Sequence, residues 1–138
     1  MSPDALAALH AEAFAPHRGW SAAEFEALLA RPTTELIETF DGFLIAQIIP
    51  PEAEILTIAV ARKARRRGTA QALVRDLVWR DDLRAVFLEV AADNTPARAL
   101  YAGLGFAVTG RRAGYYKRPT GPVDAVLMRW AKGAPPAG

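Results

Sequence analysis

Glu54-Ile55-Leu56-Thr57-Ile58-Ala59-Val60, followed by Ala64-Arg65-Arg66-Arg67-Gly68-Thr69-Ala70-Gln71, decides how this chain is read. The first run is apolar and β-branched with few polar interruptions, and it predicts a strand. A basic turn ending at Gly68 follows. Ala70, Leu73, Val74, Leu77 and Val78 then recur at i, i+3, i+4, i+7 and i+8, the pattern of an amphipathic helix. A strand, a basic glycine turn and a helix in this order aim free backbone N–H groups and the positive end of a helix dipole at an anion. Small residues at Gly68 and Ala70 let a phosphate come close to the backbone. The spacing is neither a G-x-x-x-x-G-K-[ST] loop nor a G-x-G-x-x-G fingerprint. Taken alone, the segment reads equally as a βα turn with a solvated basic face.

The surrounding composition narrows the field. At 138 residues, 51% of them hydrophobic and 23% charged, the chain is expected to form one domain with a substantial core. A net charge of +2 gives no electrostatic case for wholesale nucleic-acid binding, although Arg62, Lys63, Arg65, Arg66 and Arg67 fall within six positions. The absence of cysteine excludes disulfides, thiolate metal sites and a cysteine nucleophile. His10 and His17 are the two histidines, so neither a metal site nor a histidine-based triad is expected. No secretory leader and no apolar stretch near ~18 residues is read. A cytoplasmic, monomeric protein without membrane segments is the expectation.

Taken in order, Leu6, Leu9 and Ala13 predict a first helix over residues 3–14, with Asp4 suited to its positive end. Ser21 and Glu24 form a capping box that opens a second helix to about Ala30. Trp20 before it packs as a staple on Phe25 or faces a substrate. Residues 34–40 and 43–49 flank Asp41-Gly42, a two-residue hairpin signal, and Pro50-Pro51 leads into the third strand over 53–60. Residues 84–90 form a strand that is apolar on both faces except at Glu89, as in a central strand covered on both sides. A carboxylate there must be solvated in a cleft or sit desolvated. Thr95 and Pro96 predict the cap and first position of a helix over 97–104, ended by Gly105. A strand over 106–112, a long glycine- and tyrosine-bearing loop over 113–123, a last strand over 124–130 and a flexible tail over 131–138 complete the chain. The sum is an α+β domain with a mostly antiparallel mixed sheet flanked by helices.

Two motifs carry a resemblance. Arg65-x-x-Gly68-x-Ala70 resembles the acetyl-CoA pyrophosphate motif of the GNAT acetyltransferase superfamily, and Asn94-x-x-Ala97-x-x-Leu100-Tyr101-x-x-x-Gly105-Phe106 resembles its second signature. They stand in order, separated by a helix and a strand. Shorter strings, Leu56-Thr57-Ile58-Ala59-Val60, Leu88-Glu89-Val90, Tyr115-Tyr116 and Asp124-Ala125-Val126-Leu127-Met128, are similar to the ribosomal-protein-alanine N-acetyltransferase family. That likeness runs from about Asp4 to Trp130. The superfamily usually begins with an edge strand before the first helix, and only Met1-Ser2 precede Pro3, so that strand is expected to be missing. Ala70 stands at the motif's third small position, where glycine is usual.

The resemblance implies a GNAT acyl-CoA N-acyltransferase fold, acetyl-CoA as the donor, no metal, and the N-terminal alanine of ribosomal protein S18 as the acceptor. It places the backbone of Ile58, Ala59 and Val60 along the pantetheine arm, with Arg66, Arg67, Gly68, Thr69, Ala70 and Gln71 around the pyrophosphate and Asn94 beside the arm. Glu89 becomes the general base, acting through water, and Tyr101 the general acid for the departing thiolate. Trp20, Tyr115 and Tyr116 fall on the acceptor side. An α-amino group ionises near ~7.7–8.0 against ~10.4 for lysine, so a protein N-terminus is the easier amine to neutralise at pH 7. Bland readings stay open for each residue: Glu89 as a rim glutamate paired with an arginine, Tyr101 as a core tyrosine, and the loop tyrosines as packing. Lysine or a small amine remains an alternative acceptor. So do two readings without turnover, an acetyl-CoA sensor and an RNA- or ribosome-binding module using residues 62–67.

Overall fold

The computed structural model of the chain describes residues 1–15 and 17–133. Helices α1 (Pro3–Phe14) and α2 (Ala22–Leu29) come first, then strands β1 (Thr34–Glu38), β2 (Gly42–Ile49) and β3 (Glu52–Val60). Helix α3 (Thr69–Val78), strand β4 (Ala85–Ala91), helix α4 (Thr95–Gly103) and a hairpin of β5 (Ala107–Arg118) and β6 (Gly121–Ala131) follow. The strands form one sheet in the order β1-β2-β3-β4-β6-β5. All neighbours are antiparallel except β3 and β4. Among the described residues no strand precedes α1, and β1 is the sheet edge, as the sequence predicts. None of the described helices is long and apolar enough to cross a membrane.

Local chemistry explains the early helices. Ser2 caps α1 by accepting from the Ala5 N–H at 3.1 Å, with Asp4 in the first turn. Ser21 and Glu24 complete the capping box of α2. Both helices cover one face of β1–β3, burying Leu6 and Phe25 against Phe43, Ile45 and Ala59. The other face carries α3, whose Leu73, Val74, Leu77 and Val78 are all buried against Leu44, Ile55, Val86 and Leu88. Each such side chain contributes about 1.5–3 kcal/mol when fully buried. Strand β2 is buried on both faces, which makes the sheet the middle of three layers.

The feature that positions the site is a split in the sheet. Strands β3 and β4 pair only over Glu52–Ile55 and Ala85–Leu88. At that point β3 carries an extra residue: Ile45 of β2 lies opposite Thr57 and Ala46 opposite Ile55, so Leu56 bulges. A bulge bends its strand. Residues 56–60 stay with β2 and residues 89–91 stay with β6, leaving a wedge whose two inner strand edges are unpaired.

Four local expectations are corrected. The first hairpin closes with the Thr39 N–H on the Gly42 carbonyl at 2.9 Å, so Phe40-Asp41 rather than Asp41-Gly42 form the turn. Gly42 is taken up by β2, opposite Val60, where a Cβ would lie 3.0 Å from the Ala59 carbonyl oxygen. Asn94, not Thr95, caps α4, its side chain accepting from the Ala97 N–H at 3.2 Å. Residues 113–123 are not a loop: β5 runs on to Arg118 and pairs with β6 through two register shifts, with Asp124 accepting from the Gly114 N–H at 2.9 Å. The tail is held further than expected, since Ala131 belongs to β6 and the Lys132 N–H donates to the Arg84 carbonyl at 2.8 Å. Residues 134–138 lie outside the described residues.

Candidate active site

The wedge opens beside the basic turn. After a single 3-10 turn at Arg62–Ala64, Arg66 (φ 68°) and Gly68 (φ 78°) are both left-handed and swing the backbone into Thr69, the first residue of α3. No side chain caps α3, so its first N–H groups stay free for an anion. A depression of about 110 Å³ at this point is lined by Val60, Ala64, Arg65, Arg66, Gly68, Thr69, Ala70 and Gln71. Five of the six residues expected around the pyrophosphate therefore meet; Arg67 is exposed beside them. The β1–β2 turn supports the cradle from below through Asp41, which accepts from the Thr69 hydroxyl at 3.4 Å.

Arg62 and Arg65 tie the turn to the end of α1. The Arg65 guanidinium donates to the Ala13 carbonyl at 3.1 Å and the Arg62 Nε to the Glu12 carbonyl at 3.2 Å. Helix α1 has no basic residue in its last turn, so these arginines satisfy carbonyls that would otherwise lack a donor.

Glu89 and Tyr101 lie on opposite faces of the sheet. Leu88 and Val90 point into the core that also holds Tyr101 of α4, and the alternation of β4 sends Glu89 to the face that α1 and α2 share. The Glu89 side chain is 24% exposed and pairs with Nε of Arg112 at 3.0 Å. The Tyr101 ring packs on Phe106 with centroids 5.6 Å apart. Burial pushes its phenol up to about 12.

On β5, Tyr115 and Tyr116 meet edge to face at 5.1 Å. The Arg112 guanidinium lies over Tyr115 at 5.6 Å and that of Arg118 over Tyr116 at 5.4 Å. Burial raises the Tyr116 phenol, and the nearby Glu89 charge raises it further. Trp20 is a staple: its ring packs on Phe25 at 5.6 Å and on His10 at 5.0 Å, and its backbone N–H donates to His10 Nδ1 at 3.0 Å. Asn94 uses its side-chain oxygen on the α4 cap, at the turn where β4 leaves the sheet. Arg112, Arg118 and the His10 brace were not singled out from sequence, because they depend on the long register of β5 and on packing between α1 and β3. A larger groove of about 250 Å³ between α4 and the β5–β6 hairpin, lined in part by Arg98, Val108 and Met128, contains none of the expected site residues. Among the described residues no cluster of metal-ligating side chains occurs.

An uncapped helix N-terminus with left-handed residues, small side chains and a free strand edge fits a phosphate-bearing thioester with an extended arm. Residues 4–106 match the Acetyltransferase (GNAT) family. The [ribosomal protein bS18]-alanine N-acetyltransferase of Escherichia coli K12 is 34% identical over 132 residues, covering 91% of this chain and 89% of that one. An uncharacterized protein of Mycobacterium leprae is 35% identical over 135 residues, 91% of this chain but 37% of that longer one. The crystal structure of the E. coli ribosomal-protein-S18-alanine N-acetyltransferase superposes with a TM-score of 0.77 at 29% identity, covering 96% of this chain and 90% of that one. The family match, the superposition and the form of the wedge agree: the chain belongs to the GNAT family and is an acetyl-CoA-dependent N-acetyltransferase.

Proposed function

We propose that this enzyme acetylates the α-amino group of an N-terminal alanine, with ribosomal protein S18 as the acceptor and the cytoplasm, where ribosomes assemble, as its place of work. The observation that carries the reading is the 34% identity with a bS18-alanine N-acetyltransferase across almost the full length of both chains. Bound acetyl-CoA would supply an activated acetyl group in the wedge. The chain's own residues do the rest. The free edge of Ile58 to Val60 holds the arm and offers an N–H to the thioester carbonyl, where negative charge develops. Asn94, one turn before Ala97, stands beside that arm at the α4 cap. Glu89, reached through water, takes the proton of the entering ammonium, and Arg112 keeps its carboxylate oriented. Tyr101 is protonated throughout the physiological range, and the desolvation that weakens it as an acid also makes the departing thiolate a stronger base. Tyr115 and Tyr116 border the acceptor, and Trp20 acts from behind by shaping the segment between α1 and α2.

Mass spectrometry of peptides incubated with enzyme and acetyl-CoA tests this. A peptide with the S18 N-terminus and a free alanine should gain one acetyl group, and its N-blocked, lysine-containing counterpart none. Tyr101→Phe should cut the rate by about 10²-fold, within the range of a lost general acid. Acetylation of the blocked peptide would reassign the enzyme to lysine. An undiminished rate in Tyr101→Phe would remove Tyr101 from the acid role.

A further inference from the structure

We propose that Arg118 recognises the acceptor's main chain, its Nε–H donating to a peptide carbonyl next to the reacting amine. The inference rests on the protein N-terminus reading above and adds the residue that would distinguish a peptide from other amines.

Arg118 ends β5 opposite Gly121, and its side chain is 17% exposed. One terminal nitrogen reaches Asp93 at 3.5 Å, and the guanidinium plane covers the Tyr116 ring. The Nε is buried and has no hydrogen-bond partner. Among the described residues the one other buried side-chain atom in that position is the Thr34 hydroxyl, at the start of β1 and away from the wedge. A hydroxyl can rotate towards any acceptor, whereas the donors of a guanidinium are fixed in its plane. A buried donor left without an acceptor is costly, and one in a native structure calls for a partner outside the fold.

The surroundings say which partner. Asp93 follows β4 by two residues and precedes Asn94, so Arg118 sits where β4 leaves the sheet. Tyr116, under the guanidinium, is near enough to Glu89 to respond to its charge. The orphan donor therefore lies against Tyr116, on the side of the wedge that carries the proposed base. Asp93 already balances the guanidinium charge, and Nε is the buried donor left without a partner, so a neutral acceptor suits it. A peptide N-terminus carries a carbonyl on the carbon next to the one that bears its reacting nitrogen. A lysine side chain or a simple amine carries only methylenes there.

Steady-state kinetics with tetra-alanine amide and with alaninol, which keeps the amine and methyl group but has no carbonyl, test the assignment. Arg118→Lys preserves the charge for Asp93 and Tyr116, Arg118→Met removes it, and thermal melting checks that each variant folds. In both, the peptide KM should rise about tenfold, the worth of one hydrogen bond. The peptide kcat, the acetyl-CoA KM and kcat/KM for alaninol should stay within about twofold of wild type. An unchanged peptide KM would mean that water serves Nε, and would overturn the proposal. An equal loss on alaninol or a parallel rise in the acetyl-CoA KM would overturn it too, by making Arg118 a structural support. A wild-type enzyme that acetylates no peptide sinks the acceptor reading itself, whereas an active enzyme indifferent to Arg118 sinks only this assignment.

Discussion

His10 is 2% exposed, and both of its ring nitrogens are engaged. Nδ1 accepts from the Trp20 backbone N–H, so Nε2 carries the proton and donates to the Thr57 hydroxyl at 2.9 Å. The ring also stacks on Phe14 at 4.2 Å. Burial lowers its pKa to about 4, with small opposing contributions from Glu24 and Arg18. A depressed folded-state value means the unfolded chain binds more protons between pH 4 and 6.5. Stability from this group is thus complete above about pH 6.5 and lost as pH falls towards 4, up to about 3 kcal/mol. Urea midpoints should drop between about pH 6.5 and 5, above the range where ordinary carboxylates titrate, and His10→Gln should flatten that drop. Equal slopes in both proteins would mean that another group titrates there. Nothing in the sequence marks His10 as more than a helix residue, because its partners come from β3 and from the entry to α2. Glu89 was legible, as the one carboxylate on a strand otherwise apolar on both faces. Its partner Arg112 was not.

At the scale of elements, short-range signals were read well and competing ones badly. The capping box of α2 and the apolar spacing of α3 depend on neighbours within a few positions, and both appear as expected. The hairpin signal Asp41-Gly42 lost to a longer-range demand. β2 needs a residue without a side chain where its backbone passes Ala59 and Thr69. A Cβ there would lie 3.1 Å from the Thr69 methyl, and Gly42 meets the need by having none. Residues 113–123 look like a loop because Gly114 and Gly121 break the alternation, yet both glycines have positive φ at a bulge and a turn inside a continuous ladder. The start of α4 carries Asn94 and Thr95 in a row, both of residue types that cap helices. Asn94→Ala should cost about 1 kcal/mol in chemical denaturation, and Thr95→Ala no more than about 0.5 kcal/mol. The reverse order would restore Thr95 as the cap and leave the Asn94 side chain wholly to the cofactor side.

Over the whole molecule, the order of elements and the location of the cradle could be read along the chain, but the wedge could not. It depends on one bulged residue in β3 and on a parallel pairing that stops after four residues, and register between distant strands leaves no local trace. The same holds for the contact that joins the two halves of the site. Arg62 and Arg65 belong to the turn that leads into the phosphate cradle, yet their donors end on the last carbonyls of α1, the helix that carries His10 and through it Trp20. Ordering the cradle should therefore order the acceptor-side helix. Saturation at about 100 times Kd stabilises a protein by about 2.7 kcal/mol, enough to follow by hydrogen exchange. In the wild type, added acetyl-CoA should slow exchange both in residues 62–71 and in the last turn of α1. In the Arg62→Met, Arg65→Met double variant, protection of residues 66–71 should persist, with Kd for acetyl-CoA raised by no more than about threefold, while the gain at α1 disappears. A collapse of acetyl-CoA binding would instead make Arg65 a direct phosphate ligand, and undiminished protection of α1 would show that the two halves communicate without these side chains, through the Arg62 backbone N–H on the Glu12 carboxylate or the β3 bulge.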